Sequence, residues 1–223
     1  MSLDHFGTLI DLLAHRADIS STKTAFTFNG VPSTFEELWQ GINRFAGFLK
    51  NLEIQRHECV VMALPNSAEF FSAFYGVQRA GGITVPIFPQ SGMERIFAIA
   101  ELCHARFIVA PSNIPAEEIR QIREAGISRG LSVVTVEDNL GNVEESDFPR
   151  IQPDDVAFLQ YTSGSTGNPK GVMLTHANLL TNIRQMIVGM EISERDVFVS
   201  WLPVYHDMGL ILKTMVPLFR TFP

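Results

Sequence analysis

The chain has 223 residues, of which 46% are hydrophobic and 18% charged, a composition typical of a folded globular protein rather than a disordered or fibrous one. Its formal net charge of −7 repels polyanions, so we expect no nucleic-acid partner and only local phosphate binding. No apolar run approaches the roughly 18 residues of a transmembrane helix, and the N-terminus lacks a signal-peptide pattern. These features predict a cytoplasmic protein without a transmembrane segment.

The chain contains two cysteines, Cys59 and Cys103, and each lies within an apolar stretch. Two cysteines cannot form a disulfide framework or a zinc site with four thiolates. The expected state is therefore a pair of ordinary buried thiols in a reducing compartment.

The first elements are predicted from apolar spacing and turn chemistry. Asn29 and Gly30 separate two short apolar segments, which is a strong signal for a β-hairpin. Thr34 and Glu37 have the spacing of a capping box, which starts a helix. The predicted elements are a helix over 5–17, a hairpin over 24–33 and a helix over 34–52.

Buried-type strands and amphipathic helices then alternate along the chain. The predicted strands cover 59–64, 83–87, 106–110 and 131–136, and the predicted helices cover 67–79, 93–104 and 115–125. Apolar strands separated by helices pair in parallel and carry helices on both faces. The sequence therefore predicts an α/β fold with a doubly wound, mostly parallel sheet.

Residues 137–153 carry five acidic side chains, two prolines and a glycine without apolar periodicity. Such a segment is typical of a solvent-exposed connector, which we prefer to an acidic interaction site.

A polar, glycine-rich loop follows between two apolar strands, over 156–161 and 172–175, and a helix is predicted from 176 to 188. Gly164, Gly167 and Gly171 allow backbone N–H groups to converge, and Lys170 supplies a positive charge. Four hydroxyl side chains add further donors, those of Thr162, Ser163, Ser165 and Thr166. This combination favours a polyphosphate cradle over a flexible turn.

Three familiar motifs are excluded by spacing. Lys170 lies between Pro169 and Gly171, so the loop is not a Walker A motif. The dinucleotide-binding Gly-x-Gly-x-x-Gly pattern is absent, and Ser165 lacks the glycine that a hydrolase nucleophile elbow needs two residues earlier.

Two segments resemble motifs of the adenylate-forming ligases. Residues 159–176, with the core Thr-Ser-Gly-Ser-Thr-Gly-Asn-Pro-Lys-Gly, are similar to the phosphate-loop signature of that superfamily. Residues 200–210, Ser-Trp-Leu-Pro-Val-Tyr-His-Asp-Met-Gly-Leu, resemble its next motif in the form typical of fatty acyl-AMP ligases. Residues 76–87 resemble an early helix-to-strand turn, so the resemblance covers essentially the whole chain.

The resemblance implies that a fatty acid reacts with Mg²⁺-bound ATP, and that the acyl group then passes to an acyl carrier protein. It places the ATP phosphates on Thr162, Ser163, Gly164, Ser165, Thr166, Gly167 and Lys170, with Thr166 as the Mg²⁺ ligand. His206 is expected near the carboxylate of the acid, with Trp201, Tyr205 and Met208 as walls of the acyl tunnel. Asp207 and His176 are expected to begin helices, and no residue is assigned a catalytic role.

The resemblance also implies a larger parent protein. We expect residues 1–223 to form part of an N-terminal AMP-binding domain, with the C-terminal domain absent and the chain inactive alone. Two alternatives stay open: a long-chain acyl-CoA synthetase, and a noncatalytic module that binds a nucleotide or a partner.

Overall fold

The computed structural model describes residues 6–138, 148–162, 169–193 and 195–220. The strands are β1 (Thr24–Phe28), β2 (Val31–Thr34), β3 (Cys59–Met62), β4 (Ile83–Pro86), β5 (Phe107–Ala110), β6 (Ser132–Thr135), β7 (Val156–Thr162) and β8 (Lys170–Thr175). The α-helices are α1 (Leu9–Ile19), α2 (Phe35–Asn51), α3 (Ala68–Arg79), α4 (Met93–Leu102), α5 (Ala116–Ile127), α6 (His176–Gly189) and α7 (Val216–Arg220). A π-helical segment, Met208–Met215, runs directly into α7.

The main sheet has six strands in the order β6-β5-β3-β4-β7-β8. All neighbouring strands from β6 to β7 are parallel, whereas β7 and β8 are antiparallel. Strands β1 and β2 form a separate antiparallel hairpin. The predicted doubly wound, mostly parallel sheet is confirmed.

Helices cover both faces of the parallel sheet, as the fully apolar strands require. Alternate residues of β3 point to opposite faces. Val60 and Met62 lie in the apolar layer formed with α1, α2, α3 and α6, and Cys59 and Val61 lie in the layer formed with α4 and α5. Every residue of β3, β4 and β5 is buried.

Local turn and cap chemistry sets the N-terminal elements. Asn29 and Gly30 have positive φ angles of 50° and 80°, which the two-residue turn between β1 and β2 requires. The predicted capping box of Thr34 and Glu37 is present at the start of α2. Helix α1 begins at Leu9 rather than at residue 5, because the Thr8 side chain caps it by accepting from Asp11 N at 3.0 Å.

Part of the predicted acidic connector, residues 139–147, lies outside the described residues. Both of its ends contact the rest of the protein. Asp138 forms an ion pair with Arg123 and accepts a hydrogen bond from Thr135 N at 2.8 Å. The ring of Phe148 lies 4.6 Å from the guanidinium of Arg79, which also contacts Trp39 at 4.3 Å.

None of the described helices is both long enough and apolar enough to cross a bilayer.

Candidate functional site

The site is built on β7, the last parallel strand of the sheet. Its first half is anchored in the core, where Ala157 and Phe158 are fully buried and Ala157 O accepts from the Thr84 hydroxyl at 2.9 Å. Burial then decreases along the strand until Thr162 is exposed. Thr162 therefore lies at the carboxyl edge of the sheet, where ligands of open α/β sheets bind.

The antiparallel partner β8 returns from the predicted phosphate loop. Thr162 and Lys170 are directly opposite each other in the β7–β8 ladder, and both are exposed. The predicted phosphate-binding residues between them, Ser163, Gly164, Ser165, Thr166 and Gly167, lie outside the described residues. The hairpin register thus places a hydroxyl group and a lysine at the two ends of this loop.

Gly171 allows close packing within the hairpin. A Cβ atom at this position would lie 3.2 Å from the ring of Tyr161, its cross-strand partner. The Tyr161 ring therefore lies directly over the strand that carries Lys170. Burial raises the pKa of the Tyr161 hydroxyl, and the nearby thiols of Cys103 and Cys59 add to this effect.

The turn from β8 into α6 is fixed by a second capping box. The Thr175 side chain accepts from Asn178 N at 3.1 Å, and the Asn178 side chain accepts from Thr175 N at 3.2 Å. His176 begins α6 as predicted, and its Nδ1 accepts a hydrogen bond from Leu9 N at 3.2 Å. Burial lowers the pKa of His176 to about 4, so this imidazole is a neutral structural acceptor rather than an acid–base group.

The second motif, residues 200–210, contacts the phosphate-loop strand through one hydrogen bond. Gln160 Nε2 on β7 donates to Tyr205 O at 3.1 Å. The Tyr205 ring also packs against Phe88, with 5.2 Å between the ring centroids. The structure therefore brings Tyr205 next to the strand that ends at Thr162.

Asn66 holds the same motif from the other side. Its side-chain amide donates to Leu202 O at 2.9 Å and accepts from Val204 N at 3.0 Å. Asn66 was not predicted from the sequence, because no local pattern marks its role. It lies in a Leu-Pro-Asn-Ser turn after β3, at the same carboxyl edge as Thr162.

His206 and Asp207 project from the end of this loop into solvent. His206 Nδ1 lies 2.6 Å from Asp207 Oδ1, and the two side chains are 70% and 63% exposed. Asp207 accepts from Met208 N at 2.7 Å and begins the π-helical segment, as predicted. Gly209 is also required here, because a Cβ atom would lie 2.0 Å from Pro203 O.

Trp201 is 87% exposed, so it is not a core residue. Its neighbours Val197 and Val199 are similarly exposed, which gives this edge of the molecule an apolar surface. Met208, the other predicted wall residue, is 55% exposed.

An apolar cleft of about 440 Å³ lies behind the motif, between β1, residues 197–204 and the helical segment that contains Lys213. Leu202 and Val204 line this cleft, but Trp201, Tyr205 and His206 do not. The predicted acid-binding residues thus lie outside this cleft.

Among the described residues, no three His, Cys, Asp or Glu side chains come together as a metal site.

Comparisons with known proteins agree with this geometry. The model of the AMP-binding enzyme family matches residues 13–222. A medium-chain-fatty-acid acyl-carrier-protein ligase of Teredinibacter turnerae is 30% identical over 211 residues and covers 76% of the chain. A long-chain-fatty-acid AMP ligase of Mycolicibacterium smegmatis is 36% identical over 165 residues and covers 71% of the chain.

Among solved structures, a fatty acyl-adenylate ligase from L. pneumophila in complex with acyl adenylate and pyrophosphate is 27% identical, with a TM-score of 0.81 over 97% of the chain. The chain spans 33% and 26% of the length of the two curated relatives and 39% of that solved chain.

Proposed function

The chain belongs to the AMP-binding enzyme family, and from this membership we propose that it forms the phosphate-binding part of an enzyme that activates fatty acids by adenylation. In that reaction the carboxylate attacks the α-phosphorus of ATP, pyrophosphate leaves, and an acyl-AMP anhydride forms. Two anions must approach each other. The reaction therefore needs positive charge and hydrogen-bond donors around the phosphates, and an aligned carboxylate.

The hydrogen bond from Gln160 to Tyr205 is the observation that carries the proposal. It joins the strand leading into the phosphate loop to the motif that contains His206. This contact supports the proposal that the phosphate-binding groups and the carboxylate-binding group lie at one edge of the sheet. This is the arrangement that an in-line attack of a carboxylate on a phosphate requires.

On the phosphate side, Lys170 supplies the positive charge and Thr162 supplies a hydroxyl donor. Both side chains are exposed at the loop end of the hairpin, so an ATP molecule can reach them without disrupting the core. Ser163, Gly164, Ser165, Thr166 and Gly167 would complete the cradle with backbone N–H and hydroxyl groups. We assign the β- and γ-phosphates of ATP to this loop.

Magnesium is assigned to the same place. Mg²⁺ prefers oxygen ligands and usually retains several waters together with the substrate phosphates, so it needs few protein ligands. The Thr166 hydroxyl is the proposed protein ligand. Mg²⁺ would neutralise the phosphates and orient the leaving pyrophosphate.

On the acid side, His206 is the proposed carboxylate-binding residue. Its contact with Asp207 fixes the ring through Nδ1 and leaves Nε2 directed away from that carboxylate. Nε2 is the ring atom proposed to contact the carboxylate of the fatty acid. Tyr205 and Trp201 are the proposed apolar neighbours of the first part of the acyl chain.

The proposed acceptor of the acyl group is an acyl carrier protein, as in the name of the Teredinibacter turnerae relative. Coenzyme A is the alternative acceptor. Incubating the whole protein with labelled fatty acid, ATP and either acceptor distinguishes them, because only the true acceptor becomes acylated. That the 223-residue chain alone does not complete the reaction stays a prediction.

The nucleotide site can be tested on the chain itself by hydrogen–deuterium exchange with and without Mg-ATP. We expect ATP to protect the peptide containing residues 162–170. Lys170→Ala removes a charge-assisted contact, so the ATP dissociation constant should rise about 10- to 100-fold. Lys23→Ala, which removes an exposed lysine from the turn before β1, serves as the matched control and should leave the affinity unchanged.

Equal exchange of this peptide with and without ATP would contradict the proposed nucleotide site. It would favour the noncatalytic module instead. Equal loss of affinity in Lys170→Ala and Lys23→Ala would show that the contact is a general charge effect rather than a specific site.

A further inference from the structure

The fold brings together the only two cysteines of the chain, although they are distant in sequence. Cys59 is the first residue of β3, and Cys103 follows the last residue of α4. Both are free thiols. Neither has a role in the proposed adenylation site, which lies at the opposite, carboxyl edge of the sheet.

The backbone register explains how the two residues meet. Strand β5 pairs with β3 in parallel, with Val60 opposite Phe107, so Cys59 is level with Arg106. The chain reaches that point from α4 through His104, whose positive φ of 52° makes the turn. Cys103 therefore lies in the connection that delivers β5 to the side of β3.

An ion pair next to the cysteines fixes this register. The Arg106 guanidinium contacts the Glu58 carboxylate, with Nη2 to Oε2 at 2.9 Å, and also donates to Glu53 O at 3.0 Å. Glu58 directly precedes Cys59. The segments that carry the two thiols are thus held against each other by contacts that do not involve sulfur.

The two thiols lie in the same apolar layer. Cys59 is 8% exposed, and Cys103 is half-buried against that layer, with its Sγ donating to Ala100 O at 3.7 Å. The neighbouring Cys103 side chain lowers the pKa of the Cys59 thiol, whereas Cys59 and burial raise the pKa of the Cys103 thiol. Cys59 is the better nucleophile of the pair, since the thiolate is the reactive form.

We propose that Cys59 and Cys103 form a redox-active dithiol, which hydrogen peroxide converts into a reversible intramolecular disulfide. The Cys59 thiolate attacks one oxygen of the peroxide, the O–O bond breaks, and Cys59 becomes a sulfenic acid as hydroxide leaves and is protonated to water. The Cys103 sulfur then attacks the Cys59 sulfur. Hydroxide leaves, takes the Cys103 proton and forms a second water, so two thiols and one peroxide yield one disulfide and two waters.

The disulfide would join the start of β3 to the end of α4, at the amino edge of the sheet. It closes a loop that contains α3, β4 and α4, which reduces the entropy of the unfolded chain. We expect the oxidised protein to unfold at a temperature about 10 °C higher than the reduced protein.

The test treats the folded 223-residue chain with a small excess of hydrogen peroxide, followed by denaturation, alkylation and mass spectrometry. We expect the intact protein to lose the mass of two hydrogen atoms, both cysteines to resist alkylation, and dithiothreitol to restore both thiols. Digestion should yield a single linked pair of peptides containing Cys59 and Cys103.

Cys103→Ser and Cys59→Ser are the matched variants. Without its partner, Cys59 should stop at the sulfenic acid, which dimedone traps, whereas Cys103 alone should react more slowly. Two alkylatable thiols after oxidation of the wild type, or stepwise gain of oxygen on each cysteine in place of the disulfide, would overturn the proposal. Disulfide formation at the same rate in urea would also overturn it, because the folded structure would then not be what brings the two cysteines together.

Discussion

The central strands of the main sheet differ from the β7–β8 hairpin at its edge in how they are covered. Strands β3, β4 and β5 are buried at every residue between two helical layers, and they carry no predicted ATP-binding or substrate-binding residue. The β7–β8 hairpin begins in the same core at Phe158 but ends in solvent at Thr162 and Lys170. The comparison shows that the covered strands supply rigidity, and that polar chemistry becomes possible where the helical cover stops.

The largest expected effect is a difference in unfolding free energy between substitutions at two positions of the same hairpin. Phe158 is fully buried against Phe74, whereas Met173 on β8 is 68% exposed. Phe158→Ala leaves a cavity and should lower the free energy of unfolding by about 3–5 kcal/mol. Met173→Ala should change it by no more than about 0.5 kcal/mol. Urea unfolding of both variants measures the difference. A comparable loss in both would mean that Met173 is also buried by packing.

The next effect is a loss of stability in acid, carried by His176. Its folded pKa of about 4 lies below the usual value of 6.5, because the buried imidazole is poorly solvated, although the Asp155 carboxylate opposes this shift. The unfolded chain therefore binds the proton first. The stabilisation is complete above pH 6.5 and is lost as the pH falls toward 4. Between about pH 7.5 and pH 5 the loss should be about 2 kcal/mol.

The control for this effect is His176→Asn, whose amide oxygen occupies the position of Nδ1 and retains an acceptor for Leu9 N but does not titrate in this range. Urea unfolding at both pH values should give a smaller loss for the variant than for the wild type. Equal losses in the two proteins would assign the acid sensitivity to other groups.

A smaller loss of stability is expected at Asn66, which joins the carboxyl end of β3 to the motif of residues 200–210. Asn66→Ala removes both hydrogen bonds to residues 202–204, at a cost of about 1–2 kcal/mol. Exchange of the peptide containing Tyr205 and His206 should accelerate in this variant. Asn66→Asp retains the acceptor for Val204 N and should show an intermediate rate. Unchanged exchange in both variants would mean that Gln160 alone positions the motif.

Much of the fold could be predicted from the sequence because its signals are local. Apolar strands, Asn29 and Gly30, and the capping box of Thr34 and Glu37 each specify their own element, and the structure confirms them. The errors are at element ends. Helix α1 starts at Leu9 because the Thr8 cap overrides the apolar spacing that suggested residue 5.

The site was predicted only in part, because its geometry depends on contacts between distant segments. The motif residues Thr162, Lys170 and Tyr205 could be named from their sequence. Their proximity depends on Gln160, and the position of the second motif depends on Asn66, neither of which carries a local signal for that role. The proximity of Cys59 and Cys103 could not be predicted either, because the two residues are distant in sequence.

The smallest effect compares the two capping boxes, one at the start of α2 and one at the start of α6, directly after the exposed hairpin. Thr34→Ala and Thr175→Ala each remove one side-chain acceptor at a helix N-terminus, and each should cost about 1 kcal/mol in unfolding free energy. Serine at either position keeps the hydroxyl and should restore most of the loss. If Thr175→Ala costs clearly more than Thr34→Ala, the α6 cap also positions His176 against Leu9, and the exposed hairpin is then coupled to the buried core through this turn.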